Sequence, residues 1–186
     1  DVYKRQFEEK YHKKGAMISA VDLLKGIAVG AEMHNITVEG ANGGLHTNYE
    51  GKAQAAVDAL LKDGYDFVYI HLEAPDEMGH QGSVERKVEA IHRMDTRIIA
   101  HVKEQLDASG EDYRLLVLPD HPTPIRVRTH VSDPVPYLLY DSTDLQKHDW
   151  KYTEAEAAKS GNKIQKGCEL MLSLIHISEP TRRVVI

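Results

Sequence analysis

Residues 65–80, YDFVYIHLEAPDEMGH, decide the fold class because a buried strand leads directly into a group of polar side chains. Tyr65 to Leu72 is an almost continuous apolar and β-branched run, which is typical of a strand buried on both faces of a parallel sheet. Tyr113 to Leu118 is a second run of this kind, and Val135 to Tyr140 indicates a later edge strand. Helical patterns lie between these strands, so the sequence predicts an α/β fold: a mostly parallel sheet with helices on both faces.

The longest predicted helix follows Ser83, which is expected to cap its first turn. Ser109-Gly110 is expected to end the helix. The helical spacing predicts that one stripe of this helix faces the core, and its members are Val84, Val88, Ile91, Ile98, Val102 and Leu106.

Each of the two buried strands is followed by an Asp-His group. Asp76 comes after the first strand and the linker Glu73-Ala74-Pro75, with His80 four residues beyond it. Asp120-His121 comes after the second strand and Pro119. In open sheets of this type, ligands bind outside the carboxyl ends of the strands. Both groups are therefore expected at that edge of the sheet, which we call the rim.

These side chains suit a pair of divalent metal ions. The spacing of Asp76 and His80 lets one turn of chain direct a carboxylate and an imidazole at one cation, while Pro122 prevents regular structure after Asp120-His121 and lets that loop face a cavity. Oxygen and nitrogen ligands together favour zinc or manganese. Two metals about 3.5–4 Å apart would hold the attacking and leaving oxygens of an in-line displacement. Asp and His are common in loops, but five of them near two strand exits, with His130 as the fifth, predict a two-metal phosphoryl-transfer site.

Composition narrows the partners and the compartment. A net charge of −6 with no basic stripe argues against nucleic acid and against an anionic membrane surface. The single cysteine, Cys168, excludes an internal disulfide and fits a reducing compartment. No apolar run reaches the length of a membrane span and no secretory signal opens the chain, so we expect a cytoplasmic protein. The predicted phosphoryl-transfer site implies a small phosphorylated substrate as its partner. The oligomeric state is left open.

The sequences at both ends of the chain are expected to have a different origin from the rest. Residues 1–6 and residues 172–186 resemble translated sequencing-adapter reads, and they are expected to be non-native. Residues 7–171 are then expected to be the C-terminal part of a metalloenzyme phosphatase-like domain. The segment from about Ser173 to Ile186 is expected to pack on nothing.

Several motifs together carry a family resemblance: TNYEGKA at 47–53, EAPDEMGH at 73–80, PDHPTP at 119–124 and RTH at 128–130. They resemble the C-terminal half of archaeal-type cofactor-independent phosphoglycerate mutase, a branch of the alkaline phosphatase superfamily. The resemblance covers Gly15 to Tyr140, and it implies an incomplete alkaline-phosphatase-like fold.

The resemblance also implies roles for the rim residues. Asp76, His80 and His130 would hold one metal, and Asp120 and His121 would contribute to the other. The cofactors would be two divalent ions, manganese or zinc, with magnesium or cobalt as alternatives. In the family, a Ser or Thr nucleophile and a further Asp come from the N-terminal half, so this fragment carries no catalytic nucleophile.

Two arginines near His130 are candidate substrate ligands. Arg126 and Arg128 lie between Asp120-His121 and His130, and a guanidinium fork can bind a phosphate or a carboxylate. A surface position without a ligand is an equal alternative for each. His71, near the end of a strand, is expected to pack in the core rather than to support a metal ligand.

Three functions are compatible with these residues. The intact enzyme would be a phosphoglycerate mutase, which interconverts 3-phosphoglycerate and 2-phosphoglycerate in glycolysis and gluconeogenesis through a phosphoserine or phosphothreonine. A homoserine-kinase-like phosphotransferase of the same branch is an alternative that the sequence does not separate from it. For these 186 residues alone, the third possibility, a non-catalytic metal-binding fragment, is favoured.

Overall fold

One mixed sheet organises the part of the chain that the structure, a computed structural model, describes: residues 7–144, 149–176 and 183–186. Its strands are β1 (Gly15–Ile18), β2 (His34–Asn35), β3 (Phe67–Ile70), β4 (Tyr113–Val117), β5 (Leu138–Asp141) and β6 (Arg183–Val185). Their order is β2-β1-β3-β6-β4-β5, and every pair is parallel except the β4–β5 edge pair. The predicted α/β fold and its edge strand are therefore confirmed.

Helices cover both faces of this sheet. They are α1 (Phe7–Tyr11), α2 (Asp22–Gly30), α3 (Tyr49–Leu61), α4 (Ala74–His80), α5 (Val84–Met94), α6 (Ala100–Ser109), α7 (Glu154–Ser160) and α8 (Leu170–His176). The neighbours Phe67 and Val68 in β3 point to opposite faces, as successive strand residues must. Val68 packs in the core that contains α3 and α6, whereas Phe67 packs with Leu174 of α8. Among the described helices, none is long and apolar enough to cross a membrane.

The long helix after Ser83 differs from its prediction in one respect. Ser83 caps α5, because its hydroxyl accepts a hydrogen bond from the Arg86 amide at 3.4 Å, and Gly110 ends α6 with a φ of 71°. A π-helical turn at Asp95–Ile99 joins α5 to α6. In the second half of the predicted stripe Ile98, Val102 and Leu106 are buried, but in the first half Val84, Val88 and Ile91 are 62%, 61% and 50% exposed.

The π turn explains why the first half of that stripe was predicted wrongly. A π turn holds an extra residue compared with an α turn, so it rotates the helix faces on its two sides relative to one another. A constant helical period carried through Asp95–Ile99 therefore places the residues before it on the wrong face. Ala90 is the residue of α5 that is fully buried.

The C-terminal segment is the largest correction to the sequence-based expectations. Leu174 is fully buried, and Val185 is 1% exposed in β6, which pairs with β3 on one side and β4 on the other. The prediction that residues 173–186 pack on nothing is therefore wrong for the residues described there. A β-branched Val-Val pair suits a central strand, whatever its origin. The expected non-native origin of residues 172–186 stays a prediction, and residues 1–6 lie outside the described residues.

Candidate metal centre

The carboxyl ends of β3 and β4 meet at one rim of the sheet, because both strands run parallel to β6. The chain leaves β3 and enters α4 at Glu73, which is its N-cap residue. Asp76 in the first turn and His80 at the last position share one face of α4, as residues four apart do on a helix. Their side chains meet, with His80 Nε2 3.3 Å from Asp76 Oδ2.

His130 completes this group from the loop after β4. Its Nε2 lies 3.3 Å from Asp76 Oδ1 and 3.1 Å from His80 Nε2. The other ring nitrogen of His80, Nδ1, lies 2.9 Å from the carbonyl oxygen of Arg128. A carbonyl can only accept, so a neutral His80 donates from Nδ1 and keeps Nε2 unprotonated as a possible metal ligand. Such an outer contact is how metal-binding histidines are usually oriented.

His121 joins the same cluster, and Asp120 lies beside it. Asp76, His121 and His130 each offer a ligand atom, and these atoms all lie within 4.8 Å of one another. Asp120 Oδ2 is 3.5 Å from His121 Nε2, and the Asp120 side chain is 64% exposed. The structure thus brings all five predicted ligands to one rim. It also places His121 close to the Asp76 group, so the assignment of each ligand to one of two metals stays a prediction.

The donor set fits a divalent cation. Carboxylate oxygens and imidazole nitrogens converge here, which are ligands that suit zinc and manganese. His80 Nε2 lies 3.3 Å from Asp76 Oδ2 and 3.1 Å from His130 Nε2, an arrangement that a cation between them would stabilise. Asp76, His80, His121 and His130 are the residues that would hold it.

Thr123 links the two Asp-His groups, and the sequence analysis missed it. Thr123 is 4% exposed, and its hydroxyl donates a hydrogen bond to Asp76 Oδ1. The same hydroxyl oxygen lies 3.3 Å from His121 Nδ1. Its carbonyl oxygen accepts a hydrogen bond from Lys87 Nζ at 2.7 Å. The only signal in the sequence was its place between Pro122 and Pro124, directly after Asp120-His121.

Glycine is required where the Thr123 loop approaches α4. A Cβ at Gly79 would lie 2.6 Å from the Thr123 carbonyl oxygen, closer than real Cβ contacts allow. Lys87 of α5 reaches the same point, where burial lowers the pKa of its ammonium and the Asp76 carboxylate opposes that shift. The loop is therefore fixed to α4 and α5 next to the Asp76 carboxylate.

The two candidate substrate arginines lie on the loop that leads from Asp120-His121 to His130. Arg126 and Arg128 are both exposed, and Arg128 has a positive φ of 56°. The carbonyl of Arg128 orients His80, and its guanidinium packs over Gly82. Substrate binding by either side chain stays a prediction.

His71 lies between the rim and the interior, and its side chain is 18% exposed. Burial lowers the pKa of its imidazole, while the nearby carboxylates of Asp120 and Asp76 oppose that shift. His71 Nδ1 lies 4.0 Å from Glu73 Oε1, so this side chain, which the sequence assigned to the core, faces the residue at which α4 begins.

The fold and this rim define a class of metalloenzymes, and comparison with known proteins agrees. The family described as the Metalloenzyme superfamily matches residues 2–166, so the chain belongs to that superfamily. A solved structure of a protein from Pyrococcus horikoshii superposes with a TM-score of 0.79 at 32% identity, over 91% of this chain and 50% of that one.

Particular relatives within this class share a name. A 2,3-bisphosphoglycerate-independent phosphoglycerate mutase from Methanosarcina acetivorans is 46% identical over 174 residues, which are 93% of this chain and 43% of the relative. One of the same name from Saccharolobus solfataricus is 40% identical over 167 residues, 89% of this chain and 39% of the relative. The chain spans about two fifths of the length of these relatives.

Removing the Thr123 hydroxyl is expected to weaken metal binding without unfolding the protein. Thr123→Val keeps the shape of the side chain but frees Asp76 and His121 to turn, and loss of such an outer contact typically costs about 10–100-fold in metal affinity. Thr123→Ser keeps the hydroxyl and should bind zinc or manganese within about threefold of wild type, given a similar hydrogen bond. Calorimetric titration of both variants checks this. Equal affinity in the valine and serine variants would show that the hydroxyl does not orient the ligands.

Proposed function

We propose that the intact protein is a 2,3-bisphosphoglycerate-independent phosphoglycerate mutase, and that this chain supplies most of its metal centre. The observation that carries the proposal is the convergence of Asp76, His121 and His130 at one rim, in a chain with mutase relatives of 40–49% identity. The proposed substrate is 3-phosphoglycerate, a small phosphorylated acid of glycolysis and gluconeogenesis. That substrate and the lone cysteine support a cytoplasmic location.

The proposed reaction moves a phosphoryl group twice. A Ser or Thr hydroxyl from outside this chain attacks the phosphorus of 3-phosphoglycerate, so an O–P bond to the protein forms, the bond to the 3-oxygen breaks, and the hydroxyl proton passes to that oxygen. Glycerate stays bound and turns, and its 2-hydroxyl then attacks the same phosphorus, so the bond to the Ser or Thr oxygen breaks and that oxygen regains the proton. Divalent cations at the rim would supply charge neutralisation for the phosphoryl oxygens and a lower pKa for the attacking hydroxyl.

The residues of this chain would hold and orient the reacting groups. Asp76, His80 and His130 would bind one cation. Asp120 and His121 would contribute ligands to the second cation. Arg126 and Arg128 could bind the phosphate or the carboxylate of the substrate through their planar guanidinium groups. We propose manganese or zinc because the ligands combine oxygen and nitrogen.

For the chain by itself we propose metal binding without turnover. The observation behind this is its length, about two fifths of the mutase relatives. The hydroxyl of Thr123, which contacts this centre, is buried and bonded to Asp76.

A chimera tests the proposed function. We expect no measurable conversion of 3-phosphoglycerate by the chain alone, and conversion when residues 7–171 replace the matching part of the Methanosarcina acetivorans relative. Asp76→Asn in the chimera should lower the rate by on the order of a thousandfold, because metal assistance is worth several kcal/mol. The unaltered relative is the positive control. Turnover by the chain alone would show that it carries a nucleophile, and a folded chimera that phosphorylates homoserine instead would contradict the mutase assignment.

A further inference from the structure

The gap between β3 and β4 lies inside the sheet, and β6 fills it. The other five strands belong to residues 15–141, which lie within the region that matches the Metalloenzyme superfamily, residues 2–166. Those five strands pair as β2-β1-β3 and as β4-β5, and β6 joins the two groups. Because β6 comes from residues 183–185, the part of the sheet that the family shares is divided in two.

The division falls between the two strands that lead to the metal centre. The chain leaves β3 toward Asp76 and leaves β4 toward Asp120. Adjacent strands lie about 4.8 Å apart, so a gap that holds one strand separates its neighbours by about 9.6 Å. The Pyrococcus horikoshii structure superposes with a TM-score of 0.79 over 91% of this chain, which supports this separation as a property of the fold. An empty gap would leave buried main-chain groups of both strands without partners.

β6 fills this gap unevenly. On the side of β3, Ile186 extends the pairing: its amide donates to the Val68 carbonyl oxygen at 2.9 Å, and its carbonyl oxygen accepts from the Ile70 amide at 2.6 Å. On the side of β4, the register pairs with β6 stop at Leu115, whereas β4 continues to Val117. Among the described residues, no register pair with β6 covers this last stretch of β4. The part that β6 leaves uncovered is the end of the gap at the rim.

The two neighbouring strands define what fits the gap. On one face of the sheet the gap is bordered by Val68 and Leu115, and on the other face by Phe67 and Leu116, all in apolar clusters. A strand apolar on both faces and parallel to its neighbours meets these conditions. A source for it exists in the relatives, because more than half of each one lies outside the region that matches this chain.

We propose that the gap between β3 and β4 is a docking site for a parallel strand from the part of the intact protein that lies outside this chain. In this chain β6 occupies the site in place of that strand. The incoming strand is apolar, matches the five residues of β4 in length, and ends at the rim between the Asp76 and Asp120 groups. This inference concerns assembly of the intact protein, and it depends on neither metal binding nor mutase activity.

Peptides test the docking site. Fluorescently labelled, overlapping peptides of about 15 residues, long enough for one strand and its flanks, cover the part of the Methanosarcina acetivorans relative that this chain does not match. Fluorescence anisotropy measures their binding to the full chain. We expect binding by the peptides that share one apolar segment, because this segment can pair with both β3 and β4. A complete set without a binding peptide would overturn the proposal.

Competition with β6 shows where the peptide binds. Val185→Asp places a charge at a buried position of β6, so β6 should leave the gap more readily and the peptide should bind on the order of tenfold more tightly. Leu172→Asp introduces the same charge at an exposed position of α8 and should bind the peptide like wild type. All affinities are measured well below the unfolding midpoints determined by circular dichroism. Equal affinities of the two variants would place the peptide elsewhere and overturn the proposal.

Hydrogen exchange in the wild-type chain gives a second readout that needs no variant. A peptide that displaces β6 should expose the Ile186 amide, which now donates to Val68, and should leave the Ile70 amide protected by the new strand. Unchanged protection of the Ile186 amide at saturating peptide would overturn the proposal, even if Val185→Asp does not fold. A dimer of the chain that excludes the peptide from the gap would assign the site to a second copy instead.

Discussion

Asp76→Ala is expected to abolish measurable binding of zinc or manganese. Asp76 is the centre of the cluster, with one carboxylate oxygen 3.3 Å from His80 Nε2 and the other 3.3 Å from His130 Nε2. Its loss removes the only carboxylate from the group that it forms with His121 and His130. Loss of an outer contact alone costs about 10–100-fold, so loss of this ligand should cost on the order of a hundredfold or more.

Asp133→Ala is the matched control for that experiment. Asp133 is an exposed aspartate on the same stretch of chain as His130, and it should leave the affinity unchanged. Both variants are compared with wild type in calorimetric titrations. Wild-type affinity in Asp76→Ala would remove the basis for the metal centre.

The second large effect concerns the centre of the sheet. Val185→Asp is expected to lower the melting temperature by roughly 10–15 °C, because a charge placed between β3 and β4 would lie unpaired in the core. Val185 is 1% exposed and β6 pairs with both of these strands. Thermal unfolding followed by circular dichroism measures the change.

Leu172→Asp provides the contrast, because it introduces the same charge in the same C-terminal segment. Leu172 is 42% exposed in α8, and a surface substitution of this kind should shift the melting temperature by about two degrees or less. If the C-terminal segment packed on nothing, as its sequence suggested, the two variants would melt alike, and the position of β6 would be refuted.

The strands and the rim could be predicted because local patterns determine them. Tyr65 to Leu72 and Tyr113 to Leu118 are apolar apart from Asp66, His71 and Arg114. Such nearly continuous runs are typical of strands buried on both faces, and they can be recognised without knowledge of their neighbours. Asp76 and Asp120 follow those strands within a few residues. Once the strands are parallel, their carboxyl ends must share an edge, so the site could be placed as well.

The C-terminal strand could not be predicted in this way, because its pairing is not local. Nothing within residues 183–186 specifies that they insert between β3 and β4, which lie far away in the sequence. Resemblance to an adapter sequence concerns the origin of a segment, whereas packing depends on its side chains. A Val-Val pair is suited to a central strand in either case.

Thr123 was missed for a related reason. A threonine between two prolines is an ordinary surface residue in most sequences. Its importance comes from a contact with a residue distant in the chain, Asp76. The helical stripe from Val84 was predicted wrongly because of the π turn at Asp95–Ile99, which the regular period does not reveal.

Anomalous X-ray diffraction from crystals grown with zinc or manganese tests the central claim most directly, because it locates the ion. We expect an anomalous peak at the rim, about 2.0–2.2 Å from an Asp76 carboxylate oxygen and from the ring nitrogens of the histidines that bind it. His130 and at least one of His80 and His121 should be among those ligands. No peak at saturating metal, or a peak bound only by residues outside this cluster, would contradict the account.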